Sequence, residues 1–551
     1  MQIIIPMAGV GRRFLNAGYI DPKPLVIAGD RSLIEHIVGF FPAESNFLFI
    51  CNQDHVDHYH IDDEIRRICP SGTIVVIPKN KLGPVYTTLQ ASDYIDDDDE
   101  VILQYCDVRG YWDYESFLEH IRDRESDGVA VASRGFHPHM LGTTQYAFMK
   151  DDGNQFMLEI QEKKPYTDNR MEEYASIGTH YFRSGKMMRH YFQILIDREM
   201  ELKGEYYVSL VYNLLVEDGL TVSIYEVQHM LLWGTPYDVE VYNKWDRYFR
   251  YTLTEKPKGF SDVNVLVPMA GAGSRFAGYE MPKPLIDIAG KPMYVQSVNH
   301  MVGDDPNIVF VCQRKHAEQF DIDKNIGDNF HNSKVVLVDG LTEGQACTCE
   351  LGILNGMDSS DNGLLILSCD NGVILDHDSL LAAMEGADCL VFGFKNDPSS
   401  RLNPNMYSWI DIDNLNNVKK VSMKNPISGN PWDDYAVVGS FYFRNNSIFI
   451  NALNKLYANK GTTNNEYYVD NLVNEIIREG LVVKMFPVEQ FICWGTPDDL
   501  NVYKYWQSFF HKYDKHPYDI RRDIFSTDNQ KILSKFIDDF YNFDKNKREK
   551  Q

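Results

Sequence analysis

Residues 3–14 read Ile-Ile-Ile-Pro-Met-Ala-Gly-Val-Gly-Arg-Arg-Phe, and residues 265–276 read Val-Leu-Val-Pro-Met-Ala-Gly-Ala-Gly-Ser-Arg-Phe. A run of apolar residues followed by two closely spaced glycines describes a buried strand that turns sharply at its carboxyl end. Pairing Gly9 with Gly271 and Arg13 with Arg275 sets an offset of 262 residues. The offset persists at 261 to 263 down the chain. Cys51–His55 answers Cys312–His316, Gly83 and Thr87 answer Gly344 and Thr348, and Asp107 answers Asp370. Further on, Gly178 answers Gly439, Glu205 answers Glu466, and Trp233 answers Trp494. A register that drifts so little over more than two hundred residues marks the tandem duplication of a whole domain, not a short-period solenoid.

Within each copy, short apolar runs alternate with helical patterns. The runs are IIIP, FLFIC, TIVVI, VILQY and GVAVA in the first copy, and VLVP, IVFVC, VVLV, LLILS and CLVFG in the second. Continuous apolar runs of this length suit strands covered on both faces, and alternation with helices implies an α/β fold with a doubly wound, mostly parallel sheet. Such sheets bind ligands at the carboxyl ends of their strands. The expected organisation is a first domain over 1–255, a polar Pro/Gly linker over 256–263, a second domain over 264–510, and a short helical tail over 511–551.

Composition narrows the function. With 44% apolar and 24% charged residues in 551, the chain has the make-up of a globular protein. No apolar run reaches the ~18–20 residues of a membrane span, and the start of the chain lacks the pattern of a secretory leader. Nine scattered cysteines suit free thiols in a reducing, cytoplasmic setting. Lys and Arg number 54 against 79 Asp and Glu, a net charge of −25. That charge disfavours nucleic acid and anionic membranes as partners, so a site for a phosphorylated ligand must be a local basic exception.

The glycine loop supplies that exception. Gly9-x-Gly11-x-Arg13-Phe14 is followed by Pro22-Lys23-Pro24-Leu25, and Gly271-x-Gly273-x-Arg275-Phe276 by Pro282-Lys283-Pro284-Leu285. The glycines let backbone N–H groups approach a phosphate. Phe14 and Phe276 stand where a dinucleotide fingerprint needs a small residue, and no Gly-Lys-Ser/Thr follows, so neither the Rossmann fingerprint nor a Walker loop is present. An arginine two residues after the second glycine puts a permanent cation beside the loop, and prolines on both sides of the lysine fix its backbone.

This doubled pattern resembles the sugar-1-phosphate nucleotidyltransferase (NDP-sugar pyrophosphorylase) family, over nearly the whole of each copy. The resemblance implies a nucleotidyltransferase (Rossmann-like) fold, twice, and transfer of a nucleotidyl group from an NTP to a sugar 1-phosphate with Mg²⁺. It implies catalytic roles for Arg13, Lys23, Arg275 and Lys283, and nucleotide binding by Ala8, Gly9, Gly11, Gly83, Ala270, Gly271, Gly273 and Gly344. The metal would be held by Asp107 and Asp370, each ending an apolar strand; a turn-capping carboxylate is the alternative reading. Glu162, Lys163, Gly178 and Glu205, with Lys424, Gly439 and Glu466, would bind the sugar phosphate. A carboxylate at the start of a helix is the competing explanation of Glu205 and Glu466.

Three departures stand out. Leu232 and Cys493 occupy the place of a second metal-binding aspartate, and Met423 replaces the acid at Glu162. The first copy also reads LGPVYTTLQA where the second reads TEGQACTCELG, beside the expected base site. These leave open a cytidylyltransferase for a non-sugar phosphate, or a sugar-nucleotide-binding regulator with one or both copies inactive. Base, sugar and oligomeric state are also open, a homo-oligomer included. Asp376-x-Asp378 and Asp411-x-Asp413 suit a glycosyltransferase poorly, because neither follows a strand in the required way.

Overall fold

The computed structural model of the protein describes residues 1–142, 146–260, 262–303, 307–358, 362–535 and 537. The chain forms two compact units, the first spanning Met1–Arg247 and the second beginning at Tyr248. Each unit is built around one nine-stranded sheet.

In the first unit the opening run forms the central strand Gln2–Met7, with Ile3, Ile4 and Ile5 fully buried. It pairs in parallel with Phe47–Asn52 on one side and Val101–Gln104 on the other, and Thr73–Ile77 continues the parallel set beyond Phe47–Asn52. Strand Tyr174–Phe182 then runs antiparallel between Val101–Gln104 and Gly128–Ser133, while Val222–Val227 lies parallel to Gly128–Ser133. The doubly wound α/β reading therefore holds, with two reversed strands in the sheet, Tyr174–Phe182 and the edge strand Met157–Glu162. The second unit repeats the arrangement: Val263–Met269 is central, Tyr435–Phe443 is a reversed strand between Gly363–Ile366 and Cys389–Phe394, and Val418–Ser422 is the other.

Helices close both faces. Ser32 accepts a hydrogen bond from the Glu35 N–H to start helix Leu33–Val38, and Asn52 does the same from the His55 N–H for helix Gln53–Tyr59. The cap is thus Asn52, and His55 sits buried inside the helix. Trp233 and Trp494 are fully buried core residues. The acidic run Asp96–Glu100 is irregular backbone ahead of strand Val101–Gln104.

His511 belongs to helix Pro497–Lys512. Beyond it the chain packs back onto the second unit: Phe525 stacks on His300 at 3.8 Å between ring centroids, and the Ile524 N–H donates to the Thr252 carbonyl. Residues 530–535 are helical, whereas the rest of the expected tail helix and the final KNKREKQ lie outside the described residues. Among the described residues, no helix is long and apolar enough to cross a membrane. All nine cysteines are free.

Candidate active site

The two glycine loops leave the carboxyl ends of the central strands, and the sequence explains their shape. Gly11 and Gly273 have φ of +64° and +61°, the left-handed region that only glycine enters freely. A Cβ at either would lie 3.4 or 3.3 Å from the Cβ of Lys23 or Lys283, so loop and lysine turn pack together. Gly9 and Gly271 face open space. Ala8 and Ala270 are buried, and the side-chain amides of Asn52 and Gln313 donate to their carbonyls. The loops lead only into the short helix Arg12–Asn16 and the 3₁₀ turn Ser274–Phe276, so positive charge at this end comes from side chains, not from a helix dipole.

Lys23 and Lys283 open single 3₁₀ turns held by the flanking prolines. The Lys23 ammonium bonds Asp107 Oδ2, and Lys283 Nζ reaches Asp370 Oδ2 at 2.5 Å. These side chains remain about one-fifth exposed. Burial pushes the Lys23 ammonium down, but Asp107 outweighs it, and the lysine lies above its ordinary value; Lys283 behaves likewise opposite Asp370. Burial raises the Asp370 carboxyl, yet Lys283, Ser368 and Arg275 together hold it below the usual carboxylate range. Arg13 and Arg275 are exposed, make no ion pair among the described residues, and act electrostatically on Lys23 and on Asp370 respectively.

The late Trp-Gly-Thr-Pro segment docks on the same carboxylates. The Trp233 N–H donates to the Asp107 carbonyl at 2.8 Å, and that of Trp494 to the Asp370 carbonyl at 2.9 Å. A Cβ on Gly234 or Gly495 would lie 3.5 or 3.3 Å from the Asp107 or Asp370 Oδ2. This segment brings in an acid that sequence reasoning missed. Asp238 and Asp499 form reciprocal capping pairs with Thr235 and Thr496. The Asp238 carboxyl is pushed up to about 6, chiefly by burial and further by Asp107, while its bonds to Thr235 resist. Asp499 is raised for the same reasons, and the Cys493 thiol donates to it at 3.3 Å. The Thr-x-x-Asp spacing was visible in sequence, but only the fold sets it against Asp107 and Asp370.

The other expected residues fall in two groups. Gly83 and Gly344 have φ of +91° and +136°, and a Cβ at either would lie 2.7 or 2.5 Å from backbone atoms of Tyr206 or Tyr467. They let the Glu-Tyr-Tyr segment cross them: the Tyr206 N–H donates to the Leu82 carbonyl and that of Tyr467 to the Glu343 carbonyl. On that segment Tyr207 bonds Glu205 at 2.5 Å and receives Lys163 Nζ at 2.6 Å. Glu162 accepts from Ser209, and burial raises its carboxyl. In the second unit Tyr468 is bonded to Glu466 and rises to about 12, chiefly through burial, and Lys424 lies 5.8 Å from its ring centroid. Gly178 and Gly439 sit at irregularities in the reversed strands, with φ of +70° and +93°.

A divalent cation has a plausible donor here only of one kind. The Asp107 carboxylate is bonded by Lys23 alone among the described residues, and no group of three or more His, Cys, Asp or Glu side chains is arranged to hold a metal among them. One carboxylate per unit beside a basic loop fits Mg²⁺, which takes one or two protein carboxylates and fills its shell with water and phosphate oxygens.

No protein-family model and no curated protein matches the chain. Solved structures do. A nucleoside-diphosphate-sugar pyrophosphorylase from Vibrio cholerae is 21% identical over 44% of this chain and 99% of its own, with a TM-score of 0.36. An inositol-1-phosphate CTP transferase from T. maritima is 14% identical over 44% of this chain and 93% of its own, with a TM-score of 0.35. A UTP-bound UGPase from Acinetobacter baumannii is 16% identical over 46% and 93%, with a TM-score of 0.34. Each is similar to less than half of this chain.

Proposed function

We propose that each unit transfers a nucleotidyl group from an NTP to a sugar 1-phosphate. A phosphate oxygen of the acceptor attacks the α-phosphorus, the bond to the bridging α–β oxygen breaks, and pyrophosphate leaves with the electron pair. The observation that carries this reading is the repeated junction of glycine loop, unpaired arginine, and a lysine bonded to an aspartate at the strand ends. The loop N–H groups and Arg13 or Arg275 would grip the triphosphate, and Lys23 or Lys283 would exchange its carboxylate partner for the α-phosphate. Reactions of this kind depend on positioning and charge neutralisation more than on a covalent catalyst. Mg²⁺ held by Asp107 or Asp370 would neutralise phosphate charge. Glu162, Lys163 and Glu205 would hold the acceptor in the first unit, with Lys424 and Glu466 in the second.

The test is pyrophosphate release from each NTP with Mg²⁺ and a panel of sugar 1-phosphates and other phosphate acceptors. Arg13→Ala and Arg275→Ala assign turnover to a unit, each lowering kcat of its own site on the order of 10²–10³. Binding without release in every combination would overturn the reading in favour of a sugar-nucleotide sensor.

A further inference from the structure

The loss of the acid at Met423 is matched by a gain 47 residues later. Position 162 of the first unit corresponds to 423 of the second, 209 to 470, and 147 to 408, all at an offset of 261. Glu162, Ser209 and Ala147 thereby become Met423, Asp470 and Ser408. In the first unit the carboxylate ends strand Met157–Glu162 and accepts from a hydroxyl in the turn before helix Val211–Glu217. In the second the carboxylate is on helix Val469–Arg478 and is bonded to Ser408, just ahead of strand Trp409–Ile412. The Ser408 hydroxyl also touches Met423 Sδ at 3.4 Å, so all three replaced side chains still meet. Donor and acceptor have changed walls of one pocket.

This cluster is electrostatically linked to residues near the loop arginine in both units. Glu162 acts electrostatically on Tyr105, two residues before Asp107, and Tyr207 beside it feels Arg13. Asp470 acts on Tyr468, which feels Arg275. Asp470 is only 9% exposed, yet its carboxylate is kept where a serine serves the first unit. The floor of the pocket differs as well. Tyr105 fills the space over Gly178, where a Cβ would meet its ring at 2.7 Å, whereas Ser368 leaves 3.6 Å over Gly439.

We infer that Asp470 is the specificity-determining carboxylate of the second site, accepting hydroxyls of a phosphorylated polyol from the helix wall, so that the two units select acceptors with different hydroxyl placement. This rests on the transferase reading above. The ligand class follows from the chemistry: a carboxylate accepts hydroxyl donors, and the loop arginine and lysine of the same unit suit the phosphate of the same molecule.

The experiment uses the full-length chain carrying Lys23→Met, so that turnover reports the second unit, with glucose 1-phosphate, N-acetylglucosamine 1-phosphate and glycerol 3-phosphate as acceptors. Asp470→Asn is expected to raise the acceptor KM about tenfold and leave the NTP KM unchanged, a split that a merely structural role would not give. The triple change Met423→Glu, Asp470→Ser and Ser408→Ala is expected to shift the acceptor ranking toward that of a chain whose second unit is silenced by Lys283→Met. If Asp470→Asn and the triple change both leave acceptor KM and ranking unchanged while Lys283→Met abolishes turnover, the inference falls and the transferase reading stands. If no combination turns over, the transferase reading falls, and calorimetry of the three acceptors decides: binding weakened by Asp470→Asn supports the carboxylate, and equal binding refutes it.

Discussion

Replacing Lys283 by Met, alone and together with Asp370→Asn, separates a fold brace from a phosphate-handling group. At 2.5 Å the pair attracts with about 7 kcal/mol for an effective dielectric of 20, and desolvation consumes most of it. What Lys283→Met leaves behind is a mostly buried carboxylate supported by Ser368 and the field of Arg275, which costs about 2–3 kcal/mol, toward the low end for a broken buried pair because both side chains are about one-fifth exposed. For a unit of this size that is a fall of roughly 4–12 °C in melting temperature. Adding Asp370→Asn removes the stranded charge and returns most of that stability. Turnover should behave differently. Both variants lack the ammonium proposed to meet the α-phosphate, so kcat of the second unit is expected to fall on the order of 10²–10³ or more in each. The assay pairs thermal unfolding with pyrophosphate release, in a background where Lys23→Met and Asp107→Asn silence the first unit. Recovery of stability and turnover together in the double variant would refute the reasoning, because the pair would then matter only for its mutual neutrality.

Other consequences are more local. Gly344→Ala puts a Cβ 2.5 Å from the Tyr467 backbone at a φ of +136°, and is expected to cost on the order of 3 kcal/mol in thermal unfolding. Gly178→Ala meets Tyr105 and Val108 at 2.7 and 2.8 Å, whereas Gly439→Ala meets nothing closer than 3.6 Å, so the first should lose about 1–3 kcal/mol more in the same measurement. Asp523, buried behind Phe525 and Tyr518, has its carboxyl pushed up to about 6, chiefly by burial. Its folded value lies above its unfolded one, so its contribution is present below about pH 4 and lost as pH rises through 6. Asp523→Asn should therefore gain on the parent by about 3 kcal/mol between pH 4 and pH 7.5, read as a widening difference in unfolding midpoint.

Much of the fold was legible because it rests on local chemistry. Apolar runs such as Ile3–Ile5 and Phe47–Ile50 are buried strands, and the Pro-Lys-Pro stretches form tight turns that open on the lysine. What escaped reading depends on contacts far apart in sequence. Nothing in YASIGTHYF says that Tyr174–Phe182 runs against its neighbours, since a fully buried run looks the same in either direction. Gly83 and Gly344 read as ligand glycines, yet the close contact they permit is with Tyr206 and Tyr467, more than 120 residues away. Asp238 read as nothing, because a capping acid gains meaning only when a strand end sets Asp107 beside it.

The duplication gives a physical ranking of what each position is for. Where both copies keep a residue type in the same contact, as with Gly11 and Gly273 against their lysines or Lys23 and Lys283 against their aspartates, the geometry leaves little freedom: a positive φ or a paired charge would be lost by almost any change. Where they differ, the change is compensated within the pocket. A bare loss of Glu162 would have left Ser209 without its acceptor; instead the second unit moves the acid to Asp470 and the hydroxyl to Ser408. Likewise Ser368 gives up the ring of Tyr105 but donates to Asp370, which helps keep that carboxylate ionised. Compensation of this kind preserves the polar contacts of the cluster while altering its shape, as the proposed activity of both units requires. Under the proposed reaction, the two units share one phosphate-handling core and differ in their acceptor pockets.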